Sequence, residues 1–177
     1  MRAPSFLSWS FRCWPAAAAR TPMLLVSLAL SASVLGGCKT QYIPNTDIVE
    51  SAENRRIVEF CEEYRHAVER RNVALLLKMA NPAYYEDGGN IDATDDIDYA
   101  GLREYLQTKF GDTTAIRYEI RYRDVSAGPG DVIWVDYTYS ASYKVPSPQG
   151  EVWRRQVADN RLELVPEGDS FTILRGM

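Results

Sequence analysis

The stretch Ala115–Val125, AIRYEIRYRDV, constrains the fold of this chain more than any other. Ile116, Tyr118, Ile120 and Tyr122 alternate with Arg117, Glu119, Arg121 and Arg123. A helix would scatter the apolar set around its axis. A strand gathers it on one face and leaves the charges on the other. One buried face requires a sheet with something packed against one side only. Three more strand-like segments follow, VIWVDYTYSASY, EVWRRQVADNRLELV and SFTILRG, separated by the turn-rich SAGPGD, VPSPQG and PEGD. The short connections predict an antiparallel meander.

The register of the first hairpin follows from matching faces. Setting Val125 against Val132 places Tyr122 opposite Val135, Ile120 opposite Tyr137 and Tyr118 opposite Tyr139. It also brings Arg121 to Asp136 and Arg123 to Trp134, one ionic pair and one cation–π pair. In the last hairpin Leu164 is expected to face Phe171, and Leu162 to face Ile173. Across the central hairpin, Ala158 and Gln156 are expected opposite Tyr137 and Tyr139.

Upstream the apolar period changes to that of a helix. Ile57, Phe60, Cys61, Tyr64, Ala67 and Val68 form one stripe, preceded by Asp47-Ile48-Val49-Glu50 at capping-box spacing and by Ser51 as a second cap. That helix should run to about Arg71. A second, Val73–Ala80, is stopped by Asn81-Pro82. Tyr84-Tyr85 suits a short strand and Gly88-Gly89 a turn. A third helix spans Tyr99–Phe110, with Leu102, Tyr105, Leu106 and Phe110 on one face and Asp96 or Asp98 as cap. Three helices followed by four antiparallel strands predict an α+β fold with helices on one side of the sheet.

The N-terminal region is not part of that domain. Residues 1–37 hold Arg2, Arg12 and Arg20 and no acid, whereas residues 38–177 carry 17 bases against 24 acids. Met23–Leu35, MLLVSLALSASVL, is an apolar run of 13 residues, short of the roughly 20 a spanning helix needs. It fits the apolar region of a secretory signal. Leu35-Gly36-Gly37-Cys38 then resembles the lipobox of bacterial lipoproteins. That resemblance implies a diacylglyceryl group on the Cys38 thiol, cleavage before Cys38, and acylation of the new amino group. Several acyl chains give stable anchoring where one does not. The resulting division is a signal peptide at 1–37, the lipidated Cys38 with a tether to residue 46, and a domain at 47–177. The implied location is the cell envelope. Lys39 after the cysteine favours the outer membrane, with the domain facing the periplasm or the surface. Cys13 leaves with the signal, so Cys61 is the one thiol left to the mature domain. It reads as a small core residue.

The layout of residues 50–177 resembles the nuclear transport factor 2-like superfamily, including SnoaL-like domains. The cues are Glu69–Leu76 at the entry to the second helix, Tyr84-Tyr85-Glu86-Asp87, and Arg161–Val165 with Phe171–Gly176 at the end. The resemblance implies a sheet curled around the long helix to leave a cone-shaped cavity. Isomerases, cyclases, dehydratases, binders and interaction modules share that cone, so fold alone does not name the activity.

The residues narrow the choice. Enzymes of the superfamily often use an Asp–His pair inside the cone. The single histidine, His66, lies two residues from Tyr64 and so points away from the buried stripe. Asp136 is expected in a structural ion pair, and Asp159 faces an uncertain side. No catalytic residue is therefore assigned. Tyr64, Tyr118, Tyr122, Tyr137 and Tyr139 are the candidate pocket lining. The acidic run Glu86, Asp87, Asp92, Asp95, Asp96 and Asp98 lacks EF-hand spacing and reads as a solvated loop, so no metal site is assigned. There is no phosphate loop, nucleophile elbow or zinc spacing, and no cofactor is implied. With a net charge of −4, nucleic acid is an unsuitable partner. The expectation is a membrane-anchored, non-catalytic module that binds an envelope protein or a small apolar molecule. The alternative is a small cone-fold enzyme of isomerase or lyase type.

Overall fold

The computed structural model describes residues 40–88 and 94–177. The signal-like segment 1–37, Cys38, Lys39 and the acidic Asp92 lie outside them. The described chain runs α1 (Ala52–Glu69), α2 (Val73–Met79), β1 (Tyr85–Glu86), β2 (Ile97–Asp98), α3 (Tyr99–Gly111), β3 (Ala115–Ala127), β4 (Ile133–Ser147), β5 (Gly150–Glu167) and β6 (Ser170–Arg175). None of its helices is long and apolar enough to cross a membrane.

Local chemistry explains the helix ends. Ser51, extended at φ −152°, accepts from the Asn54 N–H and starts α1. The alternative capping box at Asp47–Glu50 does not form, because Asp47 instead binds Arg121 and Arg123 across the sheet edge. Asn72 caps α2 through the Leu75 N–H, following a left-handed Arg71 at φ 53°. Asp98 caps α3 through the Gly101 N–H. Ile57, Phe60, Cys61, Tyr64 and Ala67 form the buried stripe of α1.

The four long strands pair in the order β3-β4-β5-β6, all antiparallel. Their inner face carries Tyr118, Tyr122, Val135, Tyr137, Leu162, Leu164 and Ile173 against the three helices, giving one continuous core. The faces match the alternation read from the sequence. The registers differ from it by two residues, which preserves facing but changes partners. Ile120 lies opposite Tyr139, Tyr122 opposite Tyr137, and a bulge at Arg123 shifts the pairing so that Val125 meets Val135. The strands run through Ser126-Ala127, and Gly128–Val132 closes the turn with Gly128 N–H donating to the Val132 carbonyl at 2.8 Å. A shorter turn than SAGPGD forces the slide. Likewise Leu164 pairs with Ile173 and Pro166 with Phe171. Tyr139 lies opposite Ala158 and Tyr137 opposite Asn160.

The slide reassigns the polar pairs. Asp136 receives Arg161 on two atoms, Nε at 2.7 Å and Nη2 at 2.9 Å, and not Arg121. The cation over Trp134 is Arg161, 4.5 Å from the ring, and not Arg123. The segment expected as a free tether is ordered at its far end. Tyr42 bridges to Val49, Ile43 is buried, and the Asp47 N–H donates to the Tyr122 carbonyl at 3.0 Å. Ile43 and Ile48 are apolar positions too isolated in sequence to show a period.

Candidate functional site: the mouth of the cone

Inside the curl, α1 supplies Tyr64, β3 supplies Tyr118, and β4 supplies Tyr137 and Tyr139. The Tyr64 and Tyr118 rings meet edge to face, 6.4 Å between centroids. Tyr118 and Tyr139 lie at 5.5 Å, Tyr137 and Tyr139 at 6.4 Å. Such contacts hold large rings apart by their edges. Beneath them, Asn160 Nδ2 donates to the Tyr137 oxygen at 3.0 Å and to the Gly176 carbonyl at 3.1 Å.

Burial holds every one of these phenols neutral. It pushes Tyr64 and Tyr137 far above the usual tyrosine range, and Tyr118 up to about 12. Neither a proton acceptor nor an anionic phenolate is available on this floor near neutral pH.

Above the floor a cavity of about 580 Å³ opens to solvent. Tyr64, Tyr118 and Tyr139 form its deep side, and Leu76, Ile116 and Ala141 its walls. Gln156 donates to the Tyr139 hydroxyl at 2.9 Å and leaves its amide oxygen at the wall. The charged lining residues are Lys109 and Asp112. Lys109 lies over the Tyr105 ring at 5.4 Å.

Of the five tyrosines expected to line a pocket, three do so. Tyr137 is sealed beneath them at 1% exposure. Tyr122 stands apart, its hydroxyl donating to Glu62 Oε1 at 2.9 Å. Asn160 and Met177 were not legible as site residues. The third strand alternates poorly in sequence, and Met177 reaches the cavity only because β6 returns the chain end to it. Other hollows lie outside the cone. One of about 670 Å³ is lined by the ion-paired Arg123, Asp136 and Arg161. Another of about 640 Å³ lies between the start of α1 and the β3–β4 turn.

His66 faces out of α1, half exposed, with Nδ1 at 3.5 Å from Glu69. Asp159 accepts from the Thr138 hydroxyl on the outer face of the sheet at 2.6 Å. Neither reaches the cone. Cys61 is fully buried, which pushes its thiol up, out of the reactive range. The acidic run is structural where described. Glu86 accepts from the Gly176 N–H at 2.8 Å, and Asp96 accepts from the Tyr85 hydroxyl. Among the described residues no three His, Cys, Asp or Glu side chains gather as a metal cage.

No family model matches the chain, and no curated protein matches it by sequence. Solved structures do resemble it. A candidate dehydratase of the nuclear transport factor 2-like family from Streptomyces avermitilis aligns at a TM-score of 0.58 and 13% identity, over 70% of this chain and 92% of its own. A candidate scytalone dehydratase from Novosphingobium aromaticivorans gives 0.59 and 8%, over 70% and 80%. A candidate calcium/calmodulin-dependent protein kinase II association domain from Xanthomonas campestris gives 0.56 and 12%, over 78% and 91%. The fold is the nuclear transport factor 2-like cone, an α+β architecture.

Proposed function

We propose that this chain is a cell-envelope lipoprotein, anchored by acyl chains on Cys38, whose cone holds a small apolar molecule without transforming it. The observation that supports binding is the mouth itself, an aromatic and aliphatic cavity with one amide and neutral phenols as its inner polar groups. Such a lining suits a largely apolar ligand carrying a carbonyl or hydroxyl. Among the described residues, no side chain of the inner wall is a carboxylate or a histidine placed to move a proton. The alternative, an isomerase or lyase, draws on the dehydratase names of two neighbours. It would have to work from Asp112 at the rim, which favours the binding reading. The anchor rests on the basic head, the short apolar run and Leu35-Gly36-Gly37-Cys38 together.

Two experiments test the two halves. The full-length chain, purified in detergent, should carry a ligand visible by native mass spectrometry. Ala141→Trp, which fills the mouth, should lose it while keeping the far-ultraviolet spectrum. Ligand retained by that variant would sink the cavity reading. Cys38→Ala should lose acyl label and leave the membrane fraction, and a variant still acylated would sink the anchor.

A further inference from the structure

We infer that the free edge of β5 pairs with the same edge of a second copy of this chain, joining two sheets into one across a twofold axis at Val157.

A sheet edge exposes unpaired backbone groups, and folded chains normally seal it. The other edges of this sheet are covered at several points among the described residues. On β3, the Tyr118 N–H donates to Glu69 at 3.1 Å, the Tyr118 carbonyl accepts from Arg65 at 3.2 Å, and the Tyr122 carbonyl accepts from the Asp47 N–H. On β6, Ile173 bridges to Ala80 and accepts from the Asn81 N–H at 2.8 Å. β5 is different. It pairs with β4 along its length, but with β6 only from Glu163 onward. Among the described residues nothing pairs with the other side of Gly150–Asn160.

That stretch carries charges at Glu151, Arg154, Arg155 and Asp159 but lacks two other common protections of an edge. It contains no proline and no lysine, and its register with β4 is unbroken by a bulge. It carries three of the exposed large apolar residues, Val152 at 36%, Trp153 at 47% and Val157 at 57%.

Charge selects the occupant. Arg155 and Asp159 lie on the outer face, where each contacts only a hydroxyl, Ser140 and Thr138 respectively. Neither makes an ion pair among the described residues. Four residues along a strand separate them by about 13 Å, too far to meet each other. An antiparallel copy with Val157 on the axis brings Arg155 of each chain opposite Asp159 of the other, with Val157 against Val157 between them. Gln156 then faces Ala158, and Arg154 faces Asn160. Sliding the axis to Arg155 sets that arginine against itself, and sliding it to Ala158 sets Arg155 against Arg161. A twofold interface uses one patch twice, so a self-complementary edge is what it requires.

The test uses the full-length chain in detergent. Val157→Cys should give a covalent dimer on mild oxidation, while Glu119→Cys on the outer face of β3 should not. In the Val157→Cys background, Arg155→Glu alone or Asp159→Arg alone should cut the yield roughly tenfold, since each replaces two attractive contacts by two repulsive ones. The two reversals together should restore it. No dimer from Val157→Cys in a folded chain overturns the inference. So does a combined reversal that fails to recover, or cross-linking solely to a different protein.

Discussion

Glu69 on α1 accepts a hydrogen bond from the backbone N–H of Tyr118 on β3, at 3.1 Å. Its other oxygen holds Arg65 at 2.9 Å, and Arg65 in turn donates to the Tyr118 carbonyl at 3.2 Å. Two helical side chains one turn apart thus satisfy both backbone groups of one edge residue, as a neighbouring strand would. This clamp fixes where the helix crosses the sheet and so sets Tyr64 over Tyr118. Removing the acceptor leaves a half-buried N–H without a partner. Glu69→Ala should cost about 1–3 kcal/mol, read as a lower urea midpoint at unchanged slope. Glu69→Gln, which keeps an acceptor, should cost less.

Asp47 gives the domain a component of acid sensitivity. Hydrogen bonds from Arg121 and then Arg123 hold its carboxyl below the usual aspartate value. A depressed folded value means that the contribution is complete above the unfolded value of 3.8 and fades as pH falls through the folded one. Urea midpoints from about pH 6 to pH 2 should therefore fall less steeply in Asp47→Asn than in the unaltered chain. At neutral pH the variant should be the less stable of the two.

Tyrosine burial predicts the opposite limb. Tyr64, Tyr118 and Tyr137 have values raised by burial, so their contribution is intact below the ordinary value of 10.0 and is lost as pH rises above it. Stability should be level to about pH 9 and fall beyond about pH 10. Tyr137→Phe should flatten that fall, measured by the same denaturant series.

Cys61 has no exposed surface, and its thiol is pushed up by burial. Iodoacetamide at pH 8 should leave it unmodified in the folded chain and modify it promptly in denaturant, located by peptide mass mapping. Prompt labelling under native conditions would mean that the helix–sheet core is open.

Gly176 sits at φ +93°, and a Cβ there would lie 1.9 Å from the Arg161 carbonyl oxygen. Gly176→Ala must move the backbone that Asn160 and Glu86 both hold. A loss of at least about 2 kcal/mol is expected, seen as a lowered Tm.

The periodic elements were readable along the chain because a period is a local property. The α1 stripe at Ile57, Phe60, Cys61 and Tyr64 and the β3 alternation at Tyr118 and Tyr122 each state which side is buried, whatever they pack against. Tyr64, Tyr118 and Tyr139, which line the cavity, all lie on faces that such periods mark as buried. Partners were a different matter. A slide of two residues leaves every face unchanged, so no facing pattern could tell Arg121 from Arg161 as the partner of Asp136. The bulge at Arg123 and the short turn at Gly128–Val132 decided it. The same holds for the cone. Sequence determined that aromatic residues line the inner face. Tertiary structure decided that Tyr137 fills the floor while Tyr139 walls the mouth, and that Gly150–Asn160 of β5 has no strand on its second side among the described residues. Both depend on the curl of the sheet and on which side chains return to seal it, and these are distances between elements remote in the chain.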